Sequence, residues 1–177
     1  MENGLPRSKL RYKAFVMADI MSVEKRSQLM ARIRGKDTTP ERYINTLLEA
    51  AGVECERHAV DLPGRPDFVF RDERLAVFVD GDFWHGWRFP VWEHRLSDEW
   101  RKKIAKNRSR DRRSHRQLRR RGWQVIRIWE HQVEEDALSC IARVSAALSL
   151  QTICWKAVYA AHDALPHLRR RNRLPKP

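Results

Sequence analysis

The apolar residues of this chain change their spacing several times, and each change marks an element. Behind Ser22, a good helix cap, Val23, Leu29, Met30 and Ile33 recur sparsely, which predicts a helix to about Gly35. A second helix starts near "DTTPE". Asp37 or Thr38 caps it, Pro40 suits its first turn, Ile44, Leu47, Leu48 and Ala51 form its core stripe, and Gly52 ends it. Short apolar runs then predict strands at about 53–59, 66–70 and 75–80, the last two joined by the turn "RDER" as a hairpin.

Polar and basic residues dominate the next stretch, which reads as a long helix over 97–121 stopped by Gly122. Trp100, Ile104, Asn107, Asp111 and Leu118 share one stripe of it, so Asn107 and Asp111 sit on a core-facing surface and need partners there. "WQVIRIWE" predicts another strand, and a last helix runs from about Val133 to Leu148. The segment 150–161 is apolar enough to pack as a further helix. The order ααβββαβα indicates an α/β domain around a central sheet. It divides into a basic tail over 1–20, a domain over 21–149 and an extension over 150–177.

Charge narrows the function. The net charge of +13, from 36 Lys and Arg against 23 Asp and Glu, points to a polyanionic partner, with nucleic acid ahead of a membrane. The three cysteines lie far apart, with no CxxC pair. They argue against a disulfide framework and suit a reducing cytoplasm. No apolar run approaches a membrane span, so the reading is a soluble, cytoplasmic, nucleoid-associated protein.

Against that basic background, carboxylates at strand ends stand out. Asp67, after Gly64 and Pro66, is placed to bind a metal over a phosphate. The Val79 carbonyl or the Asp80 carboxylate offers a second ligand. Magnesium takes oxygen ligands and few carboxylates from the protein, which fits this set. His85 follows within reach as a base for water.

The segments "SQLMARIRGKDTTPE", "LPGRPDFVF", "FVDGDFWH", "W..KI.KN..RD" at 100–111 and "L...GW.V...WE" at 118–130 resemble the very short patch repair endonuclease family over about residues 22–131. The resemblance implies a restriction-endonuclease-like fold, a central mixed sheet flanked by helices. It also implies a Mg2+-dependent nick in double-stranded DNA beside a T·G mismatch, with mismatch-repair proteins as partners; a monomer is expected. By the same resemblance Glu41 lies near the metal waters, Asp67 and the Val79 carbonyl bind metal, His85 is the general base and Asp111 holds the histidine. Phe83 and Trp84 match an aromatic wedge that enters the duplex, and Met30 approaches from the other groove. Asn107, Lys103, Lys106 and Arg110 of the long helix are expected to contact DNA as well.

Two positions depart from the family pattern. Its structural zinc site maps to Asp82, Trp87, Phe89 and His131, a set zinc does not favour, so no zinc is expected. Packing of Trp87, Phe89 and Trp92 is expected in its place. A histidine found before the loop glycine in some members is Asp80 here. Two other readings stay open: a nuclease of the same fold with a restriction, defence or homing role, and a non-catalytic DNA-binding module.

Overall fold

The computed structural model describes residues 35–149 and 153–165. The predicted N-terminal helix, with Met30, and both chain ends lie outside them. Helix α1 (Thr39–Ala50) begins as its sequence asks, with Pro40 in the first turn. Its Glu41 side chain accepts hydrogen bonds from the Asp37 backbone N–H and the Thr38 hydroxyl, satisfying donors at the helix entrance. Tyr43, Ile44, Leu47 and Leu48 make its buried face.

Strands β1 (Glu56–Arg57), β2 (Phe68–Phe70) and β3 (Leu75–Asp80) pair antiparallel in that order. The expected strand over 53–59 thus contracts to two residues. His58 leaves extended geometry at a φ of 53°, which ends the pairing. After β3 the chain forms a short helix, α2 (Phe89–Trp92), and a single 3-10 turn over Glu93–Arg95. Neither was legible in the apolar spacing. Helix α3 (Asp98–Arg120) then carries the chain back, and β4 (Gln124–Trp129) joins β3 in parallel. A long helical crossover is what a parallel neighbour requires.

Helix α4 (Glu130–Ala147) follows β4 directly, three residues earlier than the sequence suggests. Asp136 explains the difference: it breaks helical geometry (φ −154°, ψ 80°), and its carboxylate accepts from the Ser139 N–H and hydroxyl as a cap would. The apolar periodicity past Val133 largely reports the stretch after this kink. Helix α5 (Trp155–Ala164) lies slightly later than the 150–161 expected, with Val158 buried.

Strand parity divides the sheet into two chemistries. Leu75, Val77, Val79 and Ile128 face the main core with α1, α4 and α5. Ala76, Phe78 and Val125 face the other way, against Leu118 of α3. The result is a four-stranded mixed sheet between two helical layers.

Candidate active site

Asp67 enters the site through backbone geometry. Gly64 turns the chain at φ +85°, and a Cβ there would stand 2.8 Å from the Ser114 Cβ on α3, so glycine is required twice over. Beyond the turn, the Asp67 N–H donates to the Val77 carbonyl and its own carbonyl accepts from the His58 N–H. The residue is thereby stitched between β3 and the end of β1. Its Oδ2 accepts from the Val79 N–H at 2.7 Å, which sets the carboxylate beside the Val79 peptide.

Asp67 lines a cavity of about 950 Å³ with Glu41, Val79, Asp80, His85, Asn107 and other residues. Burial drives the Asp67 carboxyl up to about 7. The Val79 N–H opposes that rise, while the negative charges of Glu41 and Asp80 add to it. A largely buried carboxylate held among others is the environment that a bound cation relieves.

His85 is gripped at one nitrogen. Its Nδ1 lies 2.7 Å from Asp111 Oδ2 and 3.1 Å from Asp80 Oδ1. Two carboxylates demand an N–H at Nδ1, which leaves Nε2 as the basic atom. Burial works to raise Asp111, but the His85 hydrogen bond and the charges of His85 and Arg127 hold it below the ordinary carboxylate value. The polar residue on the inward stripe of α3 has therefore found its partners.

Among the residues foreseen from sequence, the structure gathers Glu41, Asp67, Val79, Asp80, Trp84, His85, Asn107, Arg110 and Asp111 around this one cavity. Asn107 donates to the Trp84 carbonyl at 3.1 Å and so fixes the loop backbone. Phe83 stacks on Trp92 and meets Trp100 edge-on. Trp84 packs beside Trp100, and Lys103 Nζ lies 5.1 Å from both indole centroids. Phe83 and Trp84 are half-buried, while Lys106 and Arg110 are exposed along α3.

The four positions that map to the family's zinc site hold other contacts. Asp82 and His131 form a 2.7 Å pair between the loop after β3 and the start of α4. The Trp87 ring packs on His131 and Trp129, and Phe89 is buried against Trp92.

Several residues in and around the cavity escaped the sequence reading. His58 sits 3.2 Å from Asp37, 4.0 Å from Glu41 and 3.9 Å from Asp67. His115, its ring tilted against Phe78, is held down to about 4, mainly by burial and then by the Arg127 charge. Arg127, a charged residue in the middle of a strand, reaches both Asp80 and Asp111. Its place among Val125, Ile126, Ile128 and Trp129 is the signal in the sequence that marks it.

Among the described residues, two groups of side chains have ligand atoms close enough to share a cation: Asp37, Glu41 and His58, and Asp80, His85 and Asp111. The second already contains the Arg127 guanidinium, so an ion there would have to displace a resident positive charge.

The sequence model of the DNA mismatch endonuclease Vsr matches residues 18–90. The type II nicking enzyme V.XorIIP of Xanthomonas oryzae pv. oryzae is 40% identical over 121 residues, covering 67% of this chain and 89% of the relative. The chain belongs to the Vsr family. The DNA mismatch endonuclease Vsr of Escherichia coli is 38% identical over 117 residues, 64% of this chain and 74% of its own. The type II nicking enzyme V.NmeDIP of Neisseria meningitidis is 32% identical over 136 residues, 73% and 90% of the two chains. Membership makes this protein a DNA endonuclease, and the mixed sheet with its two helical layers is a restriction-endonuclease-like Vsr fold. Among the described residues no helix is long and apolar enough to cross a membrane.

Proposed function

We propose that this Vsr-family endonuclease nicks one strand of double-stranded DNA at a T·G mismatch, using Mg2+. The observation that carries the reading is the convergence, in one cavity, of the largely buried Asp67 carboxylate with a histidine whose Nδ1 is held by two acidic side chains. The donor set fits a hard cation: the Asp67 carboxylate and the Val79 carbonyl would hold it, with Glu41 nearby. When bound, such an ion neutralises charge on the phosphate oxygens and favours ionised water.

The protein's own groups do the rest. His85 accepts a proton at Nε2 from the attacking water, and Asp111 stabilises the imidazolium that forms. Asp80 is occupied with His85 and Arg127, which favours the Val79 carbonyl over Asp80 as the second ligand. Lys106, Arg110 and the other cations of α3 track the phosphates. Phe83 and Trp84 enter the base step, where unstacking costs a few kcal/mol and less at a mismatch.

The test is a labelled duplex with a single T·G mismatch beside its matched control, each incubated in Mg2+ or EDTA. A Mg2+-dependent nick confined to the mismatched strand is expected. Cleavage of both duplexes would replace mismatch repair with a restriction or homing role. Tight binding without cleavage would refute the catalytic reading of the site.

A further inference from the structure

We propose that Arg127 is a positioning residue of this site: it holds Asp80 and Asp111 together on the Nδ1 of His85, and it is what makes a carboxylate at position 80 compatible with catalysis. The inference rests on the reading of His85 as the base.

Strand parity brings the groups together. In the parallel pairing of β3 with β4, Phe78 stands opposite Arg127 and Asp80 opposite Trp129, so all four side chains share the face turned toward α3. From there Arg127 Nη2 donates to Asp111 Oδ2 at 2.9 Å. Its Nε lies 2.6 Å from Asp80 Oδ2, off the N–H direction, so this contact is an ion pair rather than a directed hydrogen bond. The guanidinium carbon sits 4.1 Å from the Trp129 ring centroid, which limits its freedom.

The arrangement needs arginine in particular. The carboxylates come from a strand and a helix, and a planar fork can serve two such partners at once where a lysine ammonium is a single point. The charge balance explains why the pair must act together. With Arg127 present, two carboxylates and one guanidinium face the imidazole. Without it, two like charges share one ring nitrogen and drive each other apart. Asp80 would then be free to leave His85 for whatever cation is near, including one held by its neighbour Val79. Removal of Arg127 should therefore do more harm than removal of Arg127 and the Asp80 charge together.

The experiment is a double-mutant cycle in the full-length protein: Arg127→Leu, Asp80→Asn and the two combined. Single-turnover nicking of the T·G duplex in Mg2+ is one readout. Ring nitrogen NMR of His85, without DNA or metal, is the other, since it reports which nitrogen carries the proton. Arg127→Leu should slow nicking at least about 30-fold, and the double variant should return to within about fivefold of Asp80→Asn. The Nδ1–H form should prevail in the wild type and in the double variant and be lost to a mixture in Arg127→Leu. Losses that simply add, or an unchanged ring signature in Arg127→Leu, would overturn the proposal by reducing Arg127 to packing on Trp129.

Should circular dichroism show Arg127→Leu unfolded, Arg127→Lys takes its place. It keeps the charge without the fork, and should slow nicking about tenfold and disturb the His85 ring signature. Wild-type rate and signature in that variant would equally overturn the proposal. Absence of nicking by the wild type would count against the proposed function alone, because the NMR comparison still decides the role of Arg127.

Discussion

Asp67→Asn should abolish nicking and yet make the metal-free protein more stable. In the folded chain Asp67 keeps its proton to about pH 7, whereas the unfolded chain releases it near 3.8. Between those values the folded state binds the extra proton, so stability falls as pH rises through that window. The stabilisation is fully present below about pH 4 and is gone above about pH 7. The gap between 3.8 and about 7, at 1.36 kcal/mol per pKa unit, sets an upper bound of about 4 kcal/mol for the cost of the ionised group. The side chain retains 19% exposure, so relaxation toward solvent should bring the realised cost to about 2–4 kcal/mol at pH 8. Asparagine is nearly isosteric, still accepts from the Val79 N–H, and carries no charge. At pH 5 native Asp67 is still protonated and only the unfolded chain is ionised, so the gain from substitution shrinks to about 1.6 kcal/mol or less. Urea denaturation in EDTA at pH 5 and pH 8 measures both numbers. Mg2+ should then stabilise the wild type and leave Asp67→Asn unchanged. Equal stability changes at the two pH values, or a destabilised variant at pH 8, would refute the reasoning.

Trp84→Ala should lower nicking at least about tenfold while costing less than about 3 kcal/mol, because the ring is only half-buried; a larger loss in thermal melts would make packing its main role. Gly64→Ala should destabilise by about 1–3 kcal/mol, since it combines a left-handed φ with a clash against Ser114; a neutral result in calorimetry would contradict the turn geometry. Lys106→Ala with Arg110→Ala should reduce the slope of log affinity against log salt by about 2, on matched and mismatched duplexes alike. An unchanged slope would remove α3 from the phosphate-tracking face.

Much of the site was legible because its chemistry contradicts its surroundings. Asp67 follows a Gly-Arg-Pro turn into an apolar strand, and Asp111 interrupts the inward stripe of a very basic helix. Both anomalies turned out to mark the cavity. What stayed hidden depends on long-range register. Arg127 becomes a site residue only once β4 pairs beside β3 with Phe78 opposite it, a fact no local pattern contains. His115 and Ser114 were masked by the crowd of arginines around them, although both face inward. The sequence offered Asp80 as an alternative to the Val79 carbonyl for the second metal ligand, and only its Arg127 neighbour across the sheet disfavours that role. The short helix after the aromatic loop was missed for a different reason. It spans four residues and rests on Trp92 donating to the Trp87 carbonyl and on buried Phe89, so tertiary contacts rather than periodicity create it.

The alternation along β3 has a consequence for how such an enzyme can change. Leu75, Val77 and Val79 answer to the volume of the core shared with α1, α4 and α5, while Phe78 and Asp80 answer to the charges of α3 and β4. The two sets are interleaved residue by residue, but their constraints are separate. A lineage could therefore exchange the Asp80–Arg127 pair for a neutral combination in two steps without disturbing one contact of the main core. Loss of Arg127 first would leave Asp80 and Asp111 without their shared cation, whereas loss of the Asp80 charge first leaves Arg127 paired with Asp111, so the substitution at position 80 should come first.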